Sequence, residues 1–196
     1  MISEIENRRS IRKYTDTLVS QQAIEEILRA GMLAPSSKNR QPWKFIVVTG
    51  DSKAEMLLAM KRGLQREKIE PLLPESAQYI AGAEYTMKIM EQAPAIIFIV
   101  NTRGLALHQA LSPEERVYEI CNAQSIGAAI ENMTLAATEQ NLGSLWVCDT
   151  YFAYPELQDW LNTDGELFAA MTIGYAQENP PARPRKKMEE VVEWRK

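Results

Sequence analysis

Residues 33–48 read LAPSSKNRQPWKFIVV, and their sequence decides how the rest of the chain is read. Six polar residues stand between Pro35 and Pro42 and run directly into Trp43 and an apolar, β-branched stretch. Such a run predicts a loop followed by a strand over Lys44–Thr49, closed by Gly50-Asp51. The loop is unusually rich in hydrogen-bonding groups: two hydroxyls, a lysine, an asparagine, an arginine and a glutamine. Asn39 and Ser36 suit a turn on their own account, and Trp43 reads as a core residue. A loop so equipped, at the mouth of a buried strand, is also suited to holding a polar ligand.

Upstream of this stretch, Ser20 starts a helix through QQAIEEILRAGMLA, with Ile24, Ile27, Leu28 and Met32 at helical spacing. Pro35 stops it. Ser3-Glu4-Ile5-Glu6 reads as a capping box for a short helix before NRRSIRKYTD. Downstream, residues 52–65 form an amphipathic pattern, and 66–92 is a mixed segment with Pro71 and Pro74. Ala95–Asn101 reads as a buried strand. Ser112-Pro113-Glu114-Glu115 joins an N-cap, a first-turn proline and a capping-box glutamate. The helix it starts can run to Gly143, placed as a C-cap. Its middle, SIGAAI, is small and apolar on most faces, which suits packing against a further helix, including one of a second subunit. A strand at Ser144–Cys148, a short helix at Pro155–Leu161 and a strand at Leu167–Tyr175 complete the pattern. One sheet covered by helices, an α+β class, is expected over a single domain 1–196.

Composition excludes several functions. The formal net charge of −4 argues against nucleic acid or an anionic membrane as partner. The Met1-Ile2-Ser3-Glu4 start does not resemble a signal peptide, and no apolar run approaches a membrane span, so a cytoplasmic protein is expected. One histidine and two cysteines cannot furnish the usual zinc sites. Neither a Walker loop nor G-x-G-x-x-G occurs. His108 reads as a surface or cap residue rather than a triad member, and Cys148 as a buried structural cysteine rather than a redox thiol.

Against this acidic background, Arg8, Arg9, Arg12 and Lys13 fall near the start, and Arg183, Arg185, Lys186 and Lys187 near the end. Guanidinium forks match phosphate oxygens, and Ser10 offers a hydroxyl in the first cluster. Two clusters flanking the fold suggest one shared site for a small phosphorylated ligand.

Arg8-Arg9-Ser10-Ile11-Arg12, Ala34-Pro35-Ser36-Ser37-x-Asn39-x-Gln41-Pro42-Trp43, Leu142-Gly143-Ser144-x-Trp146 and Ile173-Gly174-Tyr175 with Arg183-Pro184-Arg185-Lys186 together resemble the FMN-dependent nitroreductase family. The motifs follow the family order and cover nearly the whole chain. The resemblance implies a central, mostly antiparallel sheet and an intertwined homodimer with FMN at the subunit interface. It implies that Arg8, Arg9 and Ser10, with Arg183 and Arg185, bind the FMN phosphate and that Arg12 reaches the N1/O2 side of the ring. It further implies that Pro35, Ser36, Ser37, Asn39 and Gln41 cradle the flavin from the partner subunit, and that Val147, Cys148 and Asp149 lie near N5. Segment 66–92 would vary and border the opening, with Tyr85, Met87 and Met90 either lining it or simply core; residues 177–196 would be an extension.

The implied activity is hydride transfer from NADH or NADPH through flavin N5 to a nitroaromatic, a quinone or a related small acceptor, in ping-pong order. No side chain is assigned a catalytic role, because the cofactor carries the chemistry. Alternatives on the same fold are reductive dehalogenation, flavin reduction or flavin binding without turnover. A module docking a polyanion through its basic ends is a reading from a different class.

Overall fold

The strand after the polar loop does form, at Trp43–Val48 (β1), and it lies on the edge of a four-stranded sheet. The structure, a computed structural model, describes residues 1–195. The remaining strands are Ala95–Asn101 (β2), Gly143–Val147 (β3) and Glu166–Gly174 (β4), in the order β1-β2-β4-β3 with every pairing antiparallel. This agrees with the α+β expectation.

Alternation along β2 shows why the sheet is covered on both faces. Ile97 and Ile99 join one apolar cluster, with Ile24 and Ile27 of α2 (Gln21–Met32) and Ile126, Ile130 and Met133 of α5 (Pro113–Glu139). Ile96 and Phe98 join the other, with residues of α3 (Ser52–Ile69), α4 (Ile80–Gln92) and α6 (Tyr154–Leu161). A strand buried on both faces reads as a continuous apolar run, as AIIFIV does. Short helices α1 (Ser3–Asn7) and α7 (Met188–Val191) lie near the chain ends. No described helix is long and apolar enough to cross a membrane.

Several local expectations need correction. Ser3 does not cap α1: Ile2 occupies the cap, and the Ser3 hydroxyl donates instead to Glu4. The box at Ser112 forms in full, its hydroxyl accepting from the Glu115 N–H and Glu115 Oε2 accepting from the Ser112 N–H. Gly143 is not the C-cap of α5. The helix ends at Glu139, Asn141 takes the left-handed conformation (φ 57°), and Gly143 begins β3. A Cβ there would come within 2.7 Å of Ile11, so this glycine permits close approach of the N-terminal arm. Met32 is exposed although Ile24 and Ile27 are buried. Trp43 is only partly buried, stacked near Phe45 at 6.4 Å between ring centroids. Within 66–92, Met90 is fully buried, Met87 packs on the core and Tyr85 is exposed.

Candidate active site

The N-terminal arm is held against the sheet by its own backbone. Ser10 bridges Ser144 in parallel, and the Ile11 N–H donates to the Ser144 carbonyl at 2.9 Å. Tyr14 bridges Ala176, the Thr15 N–H donates to Tyr175 O, and the Gln177 N–H donates to Lys13 O, both at 2.9 Å. The buried Tyr14 hydroxyl closes this seam, donating to Ile11 O at 2.9 Å and sharing a 2.7 Å hydrogen bond with Thr172. Burial raises the Tyr14 pKa, so it stays neutral. The Arg12 N–H donates to Glu178 Oε1 at 2.5 Å, which fixes the start of the C-terminal tail beside the arm.

Residues from both ends of the chain therefore line one cavity of about 670 Å³, among them Arg8, Arg9, Ser10, Arg12, Arg183 and Arg185. Most of these cations have no carboxylate partner among the described residues. Arg9 and Arg185 donate only to backbone carbonyls, Arg12 Nη1 donates to Ser10 O at 3.1 Å, and Arg183 donates to none. Arg8 has one, Glu131, at 3.6 Å and partly exposed, where screening leaves such a pair weak. The cavity is thus a cationic concavity able to take a phosphate-sized anion.

The polar loop is built elsewhere on the protomer, and none of its residues lines that cavity. Its 3₁₀ turn, Ser37–Asn39, sits on α5 through the Ser37 N–H donating to Ser125 Oγ at 3.2 Å. Arg40 lies over the Tyr118 ring at 4.6 Å. The Gln41 N–H donates to Ser36 Oγ at 3.0 Å, and Gln41 Nε2 to Asn39 Oδ1 at 3.4 Å. Lys38, Asn39 and Gln41 all have positive φ (53°, 52° and 48°). Three non-glycine residues in that region are costly and persist where surroundings enforce them. Pro35, Asn39 and Gln41 are exposed, and Ser36 and Ser37 half-buried.

At the end of β3, Val147 is buried, whereas Cys148 is exposed and so not the buried structural cysteine expected. Strand alternation at Trp146–Val147 accounts for this: Val147 faces the core, and Cys148 follows it into a turn. Partial burial and then the Asp149 charge push the thiol pKa up, which disfavours a reactive thiolate. Thr86 of α4 donates to Asp149, tying segment 66–92 to this corner. His108 lies in an exposed turn and is not a cap, with its ring edge-on to Tyr154 at 6.5 Å. Sequence reasoning did not find Glu178, Glu131, Tyr118 or Thr86, since each acts through a long-range contact that leaves no local pattern.

The Nitroreductase family model matches residues 5–175. A protein of Archaeoglobus fulgidus is 34% identical over 143 residues, covering 73% of this chain, which in turn spans 64% of that protein's length. One of Methanothermobacter thermautotrophicus is 30% identical over 192 residues, covering 93% of this chain and 81% of its own. Both carry provisional names as NADH dehydrogenase/NAD(P)H nitroreductases. Among solved structures, a provisionally assigned nitroreductase in complex with FMN from Desulfovibrio desulfuricans superposes with a TM-score of 0.72 at 30% identity, covering 98% of this chain and 95% of its own. The FMN- and NADPH-dependent nitroreductase NfnB gives a TM-score of 0.77 at 21% identity, a likeness of fold, over 99% of this chain and 98% of its own.

Proposed function

The chain belongs to the nitroreductase family, and from that premise we propose that it is an FMN-dependent oxidoreductase using NADH or NADPH. One observation carries the proposal: five arginines and Ser10, drawn from opposite ends of the chain, line one cavity, and most of the arginines have no carboxylate partner among the described residues. That donor set fits a flavin mononucleotide phosphate. Arg8, Arg9, Ser10, Arg183 and Arg185 would hold it by charge-assisted hydrogen bonds, and Arg12 would stabilise negative charge on the ring. When bound, FMN supplies two-electron chemistry, in which a hydride arrives from NAD(P)H and leaves to a nitroaromatic, a quinone or a related acceptor in ping-pong order.

The chain's own residues orient and shield. Val147, Cys148 and Asp149 would border the reactive edge of the ring, with Asp149 fixed by Thr86. Pro35, Ser36, Ser37, Asn39 and Gln41 would complete the cradle from a second subunit, which agrees with their separation from the cavity in one protomer. The outer face of α5 exposes Val117 and Ile120 and carries Gly127 and Ala128, a surface suited to a homodimer.

The test is the visible spectrum of the purified protein after incubation with FMN, then after anaerobic NADH or NADPH. Flavin bands that persist through desalting and bleach on reduction are expected, with a sedimenting mass of about twice 22.2 kDa. A colourless protein, or a monomer that retains flavin, would overturn the cofactor or the interface reading respectively.

A further inference from the structure

The cationic cavity has two unequal walls. Arg8, Arg9, Ser10 and Arg12 stand on the N-terminal arm, which is paired with Ser144, Tyr175 and Ala176 through its backbone. Arg183 and Arg185 stand on the C-terminal tail, where residues 179–187 belong to no helix or strand and 181–185 are all exposed. Among the described residues, every hydrogen bond made by 179–195 stays within that segment, as does its one ion pair, Arg195 with Glu193.

The last tie between tail and arm is therefore a side chain. Backbone pairing of the seam ends where the Gln177 N–H donates to Lys13 O, and half-buried Glu178 then reaches across to accept the Arg12 N–H at 2.5 Å. Directly beyond it stand Pro180, Pro181 and Pro184. Proline locks φ, and a proline-rich segment is extended and stiff over several residues. A stiff segment carries forward the direction in which it leaves its anchor. Arg183 and Arg185 follow Glu178 by five and seven positions, so this one contact and the prolines set where the two guanidinium groups sit.

We propose that Glu178 is a positioning residue for the phosphate site: by holding the Arg12 N–H it aims the proline-stiffened tail, so that Arg183 and Arg185 close the cavity over a phosphate monoester. The inference rests on the reading of this cavity as the site of the FMN phosphate. Its sign separates it from simple electrostatics. A carboxylate near an anion site repels the anion, so by charge alone its removal would tighten a phosphate ligand. For a positioning residue the sign is opposite, because removal leaves two arginines to be ordered at each binding event.

The test compares FMN with riboflavin, which has the same ring system and no phosphate, by fluorescence titration of the cofactor-free protein. The wild type should bind FMN more tightly than riboflavin. Glu178→Ala should weaken FMN about threefold to tenfold and riboflavin less than about twofold. Inorganic phosphate should compete with FMN less well in this variant. Glu178→Gln keeps an oxygen acceptor for the Arg12 N–H and should recover most of the loss. Replacing Pro180 and Pro181 together by glycine loosens the tail while keeping its anchor, and should reproduce the FMN-specific loss. Both prolines lie outside regular structure, so this variant decides the matter if Glu178→Ala does not fold. Equal wild-type affinity for FMN and riboflavin would overturn the phosphate reading of the cavity itself. A wild type that prefers FMN would leave that reading standing. The role of Glu178 would then be overturned by unchanged or tighter FMN binding in Glu178→Ala or in the double glycine variant, by equal losses for FMN and riboflavin, or by a loss undiminished in Glu178→Gln.

Discussion

Two arginine sites in this protein solve opposite problems. Arg66, in α3, is satisfied from within. Its Nε donates to Glu156 Oε1 at 2.8 Å, its Nη1 to Glu67 Oε2 at 2.6 Å, and its Nη2 to Phe152 O at 3.3 Å. Glu67 is buried and also accepts the N–H groups of Leu72 and Leu73 at 2.9 and 2.7 Å. At the chain ends, the side chains of Arg9, Arg12, Arg183 and Arg185 meet only backbone carbonyls or nothing among the described residues. A cation whose acceptors are supplied by the fold holds structure, whereas one left facing a cavity is free to take a ligand. Removing residues from the two sites should therefore separate stability from affinity.

The largest effect is expected at the closed site. Glu67→Ala should cost about 3 kcal/mol of stability, because it strands two buried backbone donors and takes away one of the two carboxylates that pair with Arg66. Denaturant unfolding checks this, and flavin affinity of the folded fraction should be nearly unchanged. The pH dependence follows from sign. Burial pushes the Glu67 pKa up, but the Leu72 and Leu73 N–H groups and Arg66 outweigh it and hold the carboxyl low. A depressed folded value means that the stabilisation is present above the ordinary carboxylate pKa and is lost as pH falls through the folded one. The gap between wild type and Glu67→Gln should accordingly close in acid.

The open site should respond the other way. Arg185→Ala should weaken FMN binding by about 1.5–3 kcal/mol, the loss of a charge-assisted phosphate contact, and leave the melting temperature of the cofactor-free protein in place. Equilibrium titration of FMN by fluorescence quenching reads the first, and thermal unfolding the second. If cofactor-free stability fell as it does for Glu67→Ala, Arg185 would be a structural residue and the contrast between the two sites would fail.

This contrast was only half legible in the sequence. The strand AIIFIV, the long helix opened by Ser112 and the alternation of elements were readable because each rests on local periodicity or cap chemistry. The convergence of the two basic clusters was readable from their density in an acidic chain. The partners were not. Glu178 meets Arg12 across 166 positions and Glu156 meets Arg66 across 90, and nothing local marks either glutamate. The cap at Ser3 failed because its hydroxyl found the neighbouring Glu4 side chain instead. Gly143 was misplaced because close packing against Ile11 and a left-handed cap both favour glycine, and sequence alone does not separate them.

The smallest expected effect tests the remaining element, the loop, which is neither closed nor open in the sense above. Its three residues at positive φ carry strain, and they are enforced by the turn's own hydrogen bonds (Asn39 N–H to Ser36 O, Arg40 N–H to Ser37 O, Gln41 to Ser36 and Asn39), by the Ser37–Ser125 bond to α5 and by the stacking of Arg40 on Tyr118. Tyr118→Leu removes only the last, worth about 0.5–1 kcal/mol at an exposed site. Global stability should therefore move by no more than that. If the loop cradles a flavin bound to the partner subunit, however, the whole of this loss falls on cofactor release, because a loosened loop must be re-ordered with each binding event. Stopped-flow displacement of FMN should then show an off-rate raised about twofold to fivefold, a change in kinetics larger than its share of folding energy. An unchanged off-rate would mean that the loop's conformation is fixed without Tyr118, by the turn's own hydrogen bonds and the Ser37–Ser125 contact.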